Sequence, residues 1–382
     1  MKLKVGVIGL GNAGGQIAAL AKEAGMDAIA VNVSSDDNAT IEDVVTTFGI
    51  GNAMGSGKNR DRAKEFGKQS IRQLIEEEQF DKFIKGCQIV FVVYSTGGGT
   101  GSGLGPMTTA VLMNHYSPKK RQDDSNYIRF VNIGILPAMT ESLQAQNHTI
   151  DAIKELTSYD CCYLIYDNNF YSDEPVYKMM DMVNQAVVED LKVIRGDYNI
   201  LSKYGQIDQQ DMLNIMSFPG MCRILTAKDF QEKDLEKTSI EDMLLSNMSQ
   251  GPACEVERDR TVSCIAPIVN IRKSISQYFN PGLPKLKEVV GELNVGYEHF
   301  YVIEDGEEFS NRVHVILTGL SIPDDRLTKV VQRIEEAKNT VVQRKKSSVL
   351  SSVGQTENFV KAVNSATPDK ETQTDEDVMN MF

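Results

Sequence analysis

Ser95–Pro106 reads STGGGTGSGLGP, with six glycines in the nine positions from Gly97 to Gly105. It follows QIVFVVY (Gln88–Tyr94), a short apolar run that reads as a buried strand, and precedes apolar residues after Gly103 that read as a helix. Glycines at this density leave backbone N–H groups bare and permit the positive φ angles from which an anion-binding nest is built. A helix N-terminus behind the nest adds the favourable end of its dipole. The stretch therefore predicts a phosphate cradle at the end of a strand instead of a slack linker.

A second glycine turn lies some ninety residues earlier. In VGVIGLGNAGG (Val5–Gly15), Gly9-Leu10-Gly11-Asn12-Ala13-Gly14 satisfies the GxGxxG pattern of dinucleotide-binding folds, a design that nucleoside triphosphate sites share. A dehydrogenase needs an acid near the end of its second strand to hold the ribose hydroxyls. AIAVNVSSDD places Asn32 there, with Asp36 beyond it. A Rossmann-type NAD-dependent oxidoreductase thus stands as the weaker alternative, because it lacks the acid and has no use for a second cradle. NAMGSGKNR carries Gly55-Ser56-Gly57-Lys58, but Asn59 follows the lysine and no buried strand precedes, so it is not a Walker loop.

Apolar periodicity alternates strands and helices through the first half. Strands are predicted at 4–8, 28–33, 88–94, 128–136 and 162–166, and helices at 14–24, 61–77, after 103, and at 140–156. This is an α/β pattern: a parallel sheet covered on both faces, with ligands at the carboxyl ends of the strands. SDEPVYKMMDMVNQAVVEDLKVIRG then predicts one long central helix, with Ser172 or Asp173 as cap, Pro175 in the first turn and Gly196 at its end. Its apolar residues cover more than one face, which predicts burial between two layers, with Met179, Met180 and Met182 as packing. Beyond it, a charged helical region (227–248) and strands at 261–271, 299–304 and 313–317 fit a smaller α/β or α+β domain. RVHVILTG alternates as a sheet with one covered face should. A charged helix follows, and 347–382 is rich in Ser, Thr, Asp, Glu and Asn, as a disordered tail would be.

At 382 residues and 41% hydrophobic, the chain is long enough for two domains and a tail. No run approaches the roughly 18 apolar residues of a membrane span, and MKLKVGVIGL enters a strand directly without a signal-peptide core; the cytoplasm is the expected compartment and no membrane partner is expected. The net charge of −13 argues against direct nucleic-acid binding. The basic clusters PKKRQDD (118–124) and QRKKSS (343–348) read as solvated surface. Six cysteines without a CxxC and four scattered histidines suggest neither zinc nor disulfides, but buried thiols.

The GxGNAG-like turn, AVN on the second strand, STGGGTGSGLGP, a strand ending in Pro137 with Glu141 shortly after, and YDNN before a long helix containing Asn184 together resemble the tubulin/FtsZ superfamily of polymerising GTPases. The resemblance covers about residues 3–320. QIDQQDMLNIMSFPGM and the Gly-Ser-Gly-Lys loop look most like its plasmid-segregating TubZ and phage-tubulin branch. The resemblance implies a GTP-binding domain (1–173), a central helix (174–196), a C-terminal activation domain (197–322), a C-terminal helix (323–346) and a flexible acidic tail (347–382). It implies GTP/GDP with Mg²⁺ on the phosphates, and no metal held by side chains. Gly9, Gly11, Asn12 and Ala13 would line the α- and β-phosphates. Gly97, Gly98, Gly99, Thr100, Gly101 and Ser102 would hold the β- and γ-phosphates through amides and the Thr100 hydroxyl. Asn32 with Gly55, Gly57 and Lys58 would lie beside the γ-phosphate, Glu141 would take the ribose, and Asn12, Asn168 and Asn184 would face the guanine.

In this superfamily the residues acting on the water come from the next subunit, on a loop after the central helix. Asp208 and Asp211 in QIDQQD take that place. From DQQD alone they read sooner as ordinary turn carboxylates, and it is their place after the long helix with the flanking resemblance that favours the catalytic reading. Two departures bear on the hydrolysis rate: Gln206 stands where the family often has Asn, and Ala145 stands where division FtsZ proteins have a basic residue. The expected function is a GTP-hydrolysing protein that polymerises head to tail into dynamic filaments and moves or positions plasmid or phage DNA in a bacterial cell. Contact with that DNA would run through a DNA-binding adaptor that takes the acidic tail; a tail that only solvates is the alternative. An FtsZ-like cell-division or cell-shape filament is the other functional reading.

Overall fold

The computed structural model describes residues 2–51, 54–118, 127–200, 205–256, 262–291, 295–296, 299–303 and 310–347. The basic residues 119–121 and the tail from 348 onward lie outside this set. The chain divides into two compact units, Met1–Leu327 and Thr328–Phe382.

The strands are β1 (Val5–Leu10), β2 (Asp27–Asn32), β3 (Thr46–Gly49), β4 (Ile89–Ser95), β5 (Arg129–Leu136), β6 (Cys162–Asp167), β7 (Gly220–Lys228), β8 (Cys264–Arg272), β9 (Val295–Gly296), β10 (His299–Ile303) and β11 (Arg312–Leu320). The helices are α1 (Gly11–Glu23), α2 (Ser35–Ala39), α3 (Arg60–Glu76), α4 (Glu78–Lys85), α5 (Thr100–Tyr116), α6 (Leu143–Ser158), α7 (Val176–Arg195), α8 (Gln209–Ile215), α9 (Glu232–Leu235), α10 (Ile240–Asn247), α11 (Lys273–Ser276), α12 (Pro284–Val290) and α13 (Asp324–Ser347).

All strands join one sheet in the order β10-β8-β11-β7-β6-β5-β4-β1-β2-β3, with β9 beside β8. From β3 to β6 every pairing is parallel, as the alternating pattern predicts. Alternation sorts the side chains onto two faces. Val5, Val7, Phe91 and Val93 enter the core that holds α1 and α7, while Ile8, Leu10, Val92 and Tyr94 enter the core under α3, α4 and α5. Each such buried side chain contributes roughly 1.5–3 kcal/mol through removal from water.

The parallel strands meet the second set through two pairs only, Cys162 with Gly220 and Tyr163 with Met221. Beyond them, β11 runs antiparallel to both β7 and β8.

Several elements differ from the sequence reading, each for a local reason. α1 begins at Gly11 and not Gly14, because Gly11 at φ 70° turns the chain from strand directly into helix. α5 likewise begins at Thr100, so the end of the glycine run is its first two turns. β3 and β7 are strands that the polar and mixed composition of their residues concealed. The N-cap of α7 is Pro175, not Ser172 or Asp173; Gly196 ends it in the left-handed conformation as expected. Val176 and Met180 of α7 are exposed, so only the later turns are enclosed and Met179 is the buried methionine of the three. β11 is buried on both faces, because its second face is also covered and His314 and Thr318 are enclosed there. All six cysteines are free and buried.

Candidate functional site

β1 and β4 are neighbours with Leu10 opposite Tyr94, so the turns that leave them emerge side by side at the carboxyl edge of the sheet. A Cβ on Gly11 would lie 3.1 Å from the Gly101 nitrogen and 3.4 Å from the Thr100 Cβ, which puts the two glycine turns in contact. Gly9 and Gly14 let α1 close onto the strands. A Cβ at Gly9 would come within 2.1 Å of the Gly14 carbonyl oxygen, and one at Gly14 within 2.2 Å of the Val93 carbonyl oxygen.

The helices that start around this edge fall into two groups. Ser34, Asn59 and Ser142 cap α2, α3 and α6 with their side chains, whereas α1 and α5 have no side-chain cap. The first N–H groups of a helix have no internal acceptor. In α1 these belong to Gly11, Asn12 and Ala13, and in α5 to Thr100, Gly101 and Ser102. The Gly98 and Gly99 amides also bond to no described residue. Two bare helix ends thus converge, an arrangement suited to phosphate.

The loop carrying Gly55, Gly57 and Lys58 forms a rim on this cradle. All three residues have positive φ, at 84°, 62° and 57°. A Cβ at Gly99 would sit 2.4 Å from the Ser56 Oγ and 2.7 Å from the Lys58 Cα, so the rim presses directly on the glycine run. The Thr100 hydroxyl donates to the Ser56 Oγ at 3.2 Å, and Gln144 Nε2 donates to the Lys58 carbonyl at 2.9 Å. Behind it, buried Arg60 donates to the Ser102 carbonyl and pairs with Glu155.

Some of the predicted groups are already engaged. The Gly97 amide donates to the Ser95 Oγ at 3.3 Å. The Ser102 hydroxyl donates to the Gly98 carbonyl, so of the two Ser102 donors only the amide is left without a partner of this kind. Asn32 ends β2, but its carboxamide accepts from the Val33 amide and donates to Asp37. Glu141 accepts from the Ala138 amide at 2.9 Å. Burial raises its carboxyl above the usual range, against the lowering effects of that bond and of the Lys58 charge.

On the far side, β6 ends beside β5, with Asp167 opposite Leu136. Asn168 follows, buried, and its Oδ1 has no partner among the described residues. Its neighbour Asn169 is spent on the Met139 amide. Asp167 caps the Asn169 amide and receives two bonds from Arg326, which also donates to the Pro137 carbonyl. No local sequence signal marks Arg326 as this clamp. Asn12 is exposed and Asn184 half-buried on α7. Among the described residues, no group of acids, histidines and cysteines could hold a metal ion.

Asp208 and Asp211 lie at the other end of the sheet. They form a reciprocal capping box at the start of α8: the Asp208 carboxylate accepts from the Asp211 amide at 2.8 Å, and the Asp211 carboxylate accepts from the Asp208 amide at 3.0 Å. Gln209 bonds to the Lys2 carbonyl, and the last residue of α7, Arg195, accepts from the Leu3 amide, both just before β1 begins. The six residues of β1, at about 3.3 Å each, therefore separate the acidic box from the glycine turns by roughly 20 Å.

Residues 4–173 match the model of the Tubulin/FtsZ family, GTPase domain. Over those residues the chain is similar to the family's GTPase domain. The TubZ of Clostridium botulinum C phage is 27% identical over 176 residues, 44% of this chain and 46% of that relative, so the match spans under half of the relative's length. The tubulin/FtsZ fold continues past the matched domain. The crystal structure of Clostridium botulinum phage c-st TubZ, 19% identical, covers 89% of this chain and all of its own with a TM-score of 0.66. CetZ2 from Haloferax volcanii, solved as a GTPγS-bound protofilament, is 18% identical and covers 88% of this chain and all of its own with a TM-score of 0.67.

The donor set suits such a domain's ligand. Bare amides at the two turns can donate to phosphate oxygens, and the orphaned Asn168 oxygen can accept from the N–H edge of a purine.

Proposed function

We propose that this chain binds GTP in the two-turn cradle, polymerises head to tail, and hydrolyses GTP when the next subunit supplies Asp208 and Asp211. The observation that carries this reading is the separation of the two sites. The phosphate donors lie at the carboxyl edge of the sheet and the acidic box at its opposite edge, so one chain cannot bring them together, whereas a head-to-tail neighbour can. Such heterologous contacts build open filaments.

The roles come from the family resemblance, and the bare amides of the two turns support them. Amides of Gly11, Asn12 and Ala13 hold the α- and β-phosphates, and those of Gly98 to Ser102 the β- and γ-phosphates. The rim at Gly55 to Lys58 covers the γ-phosphate, Glu141 takes the ribose, and Asn12, Asn168 and Asn184 read the guanine. Mg²⁺, held through the nucleotide's phosphates and not by a side-chain cluster, would neutralise part of their charge. The box leaves one oxygen of each carboxylate unused by the cap, free to polarise a water for in-line attack. Exposed Met54, Phe170, Val176 and Tyr177 supply apolar surface for a neighbour.

Residues 1–173 are assigned to nucleotide binding, 174–196 to the connecting helix, and 197–322 to activation of the neighbour. The similarity to a phage TubZ, with the net charge of −13, supports cytoplasmic transport of plasmid or phage DNA through an adaptor rather than by direct contact.

Asp211→Asn tests the assignment, because an asparagine oxygen can still accept from the Asp208 amide while the base is lost. With GTP the variant is expected to scatter light as filaments, and its phosphate release to fall about a hundredfold or more. Unchanged release would remove Asp211 from catalysis, and scattering that never responds to GTP in the wild type would remove the filament.

A further inference from the structure

The Gly98 carbonyl, within the glycine run, accepts from two side chains. One is the Ser102 hydroxyl, four residues on in the same run; the other is the imidazole Nδ1 of His148 in α6, at 3.2 Å. A carbonyl can only accept, so the ring proton of this pair sits on Nδ1. In a trans peptide the C=O and the following N–H point in opposite directions, so holding the Gly98 oxygen toward α6 turns the Gly99 amide away from it. That amide bonds to no described residue. The chain alone does not fix its direction. The peptide joins two glycines, and at Gly98 nothing lies within 4 Å of an added Cβ, so the plane is free to swing until hydrogen bonds hold it.

α6 is a firm anchor for such a hold. Thr149, the next residue, is fully buried with its hydroxyl 3.1 Å from that of Thr96, which donates to the Ile135 carbonyl in β5 at 3.0 Å. One turn before His148, Gln144 donates to the Lys58 carbonyl at 2.9 Å, and residues four apart share a helix face. The same face of α6 therefore holds both the rim and the glycine run. Gly99 is where those two meet, because a Cβ there would lie 2.7 Å from the Lys58 Cα.

We infer that His148 is a positioning residue: by pinning the Gly98 peptide it aims the Gly99 amide at the γ-phosphate, and it thereby sets the preference for a nucleoside triphosphate over a diphosphate. This rests on the GTP reading, in which the rim beside Gly99 covers the γ-phosphate. Ser102 cannot replace His148, since its hydroxyl belongs to the run that has to be held, whereas His148 ties that run to a separate element.

The test is titration of the full chain with GTPγS and with GDP, each with Mg²⁺ and in samples too dilute to scatter, for the wild type, His148→Leu and His148→Asn. Leucine fills the space without a donor. The asparagine Nδ2 stands as many bonds from the backbone as the imidazole Nδ1 and can donate to the same carbonyl. The wild type is expected to bind GTPγS more tightly than GDP, His148→Leu to lower that affinity ratio about tenfold, and His148→Asn to restore most of it. A loss of folded protein would weaken both nucleotides alike and leave the ratio unmoved. Equal affinity of the wild type for the two nucleotides, an unchanged ratio in His148→Leu, or a loss that His148→Asn does not restore overturns the inference and leaves the GTP reading standing. A wild type that binds neither nucleotide removes the GTP reading and the inference with it.

Discussion

Gly14 and Gly98 belong to the two adjoining glycine turns proposed to hold phosphate but are glycine for different reasons. At Gly14 a methyl group would meet the Val93 carbonyl, which is fixed in the sheet, whereas at Gly98 nothing lies within 4 Å of the added carbon. Gly14→Ala is therefore expected to lower stability by about 2 kcal/mol or more through overpacking. Gly98→Ala is expected to unfold at the same urea concentration as the wild type. Its methyl stands where a ligand must approach the bare amides, so titration with a fluorescent GTP analogue should give about tenfold weaker binding. Equal nucleotide affinity in Gly98→Ala would show that these amides do not meet the ligand. The positions of the glycines were legible in the sequence because spacing alone reveals a turn that must approach an anion. The commitments of the polar side chains were not: Asn32 folds back on Asp37, and Ser102 turns inward to a carbonyl. Such bonds depend on which backbone groups the tertiary fold leaves nearby, and no local pattern encodes that.

Elements were legible where one physical rule governs them. Valine-rich runs gave the parallel strands, and Gly196 gave the end of α7. β7 was hidden because Arg223, Thr226 and Lys228 interrupt its apolar residues; it forms because β11 and β6 supply partners from distant sequence. In the sequence the acidic pair reads as a candidate base, and in the structure it also forms the N-terminal box of α8. Arg326 is the element-scale contact least visible in advance. From the start of α13 it holds the ends of β5 and β6 together, through Pro137 and Asp167, immediately before Asn168. Breaking an enclosed ion pair by removing one partner leaves the other charge uncompensated. Arg326→Gln is therefore expected to cost about 3 kcal/mol, read as a lower urea midpoint with an unchanged slope. A midpoint equal to that of the wild type would mean that the clamp adds nothing to the fold.

At the scale of the whole molecule, the decisive property is polarity along the strands. All strands from β3 to β6 point the same way, which gathers the bare helix ends at one edge. The long helix α7 then carries the chain back to the other edge, where Arg195 meets Leu3 and α8 begins. The sequence implied this arrangement through the order of its motifs, but the distance between the two sites required the sheet. On the proposed reading, a molecule built this way carries a nucleotide site without its base at one pole and a base without nucleotide at the other. The most direct test of the account is phosphate release per subunit from GTP, measured across a dilution series of the wild-type chain. The account predicts almost no release below a threshold concentration and a steep rise above it, coincident with light scattering, because hydrolysis needs the neighbour. A rate per subunit that stays constant down to the most dilute sample would contradict it, since that is the behaviour of a site complete within one chain.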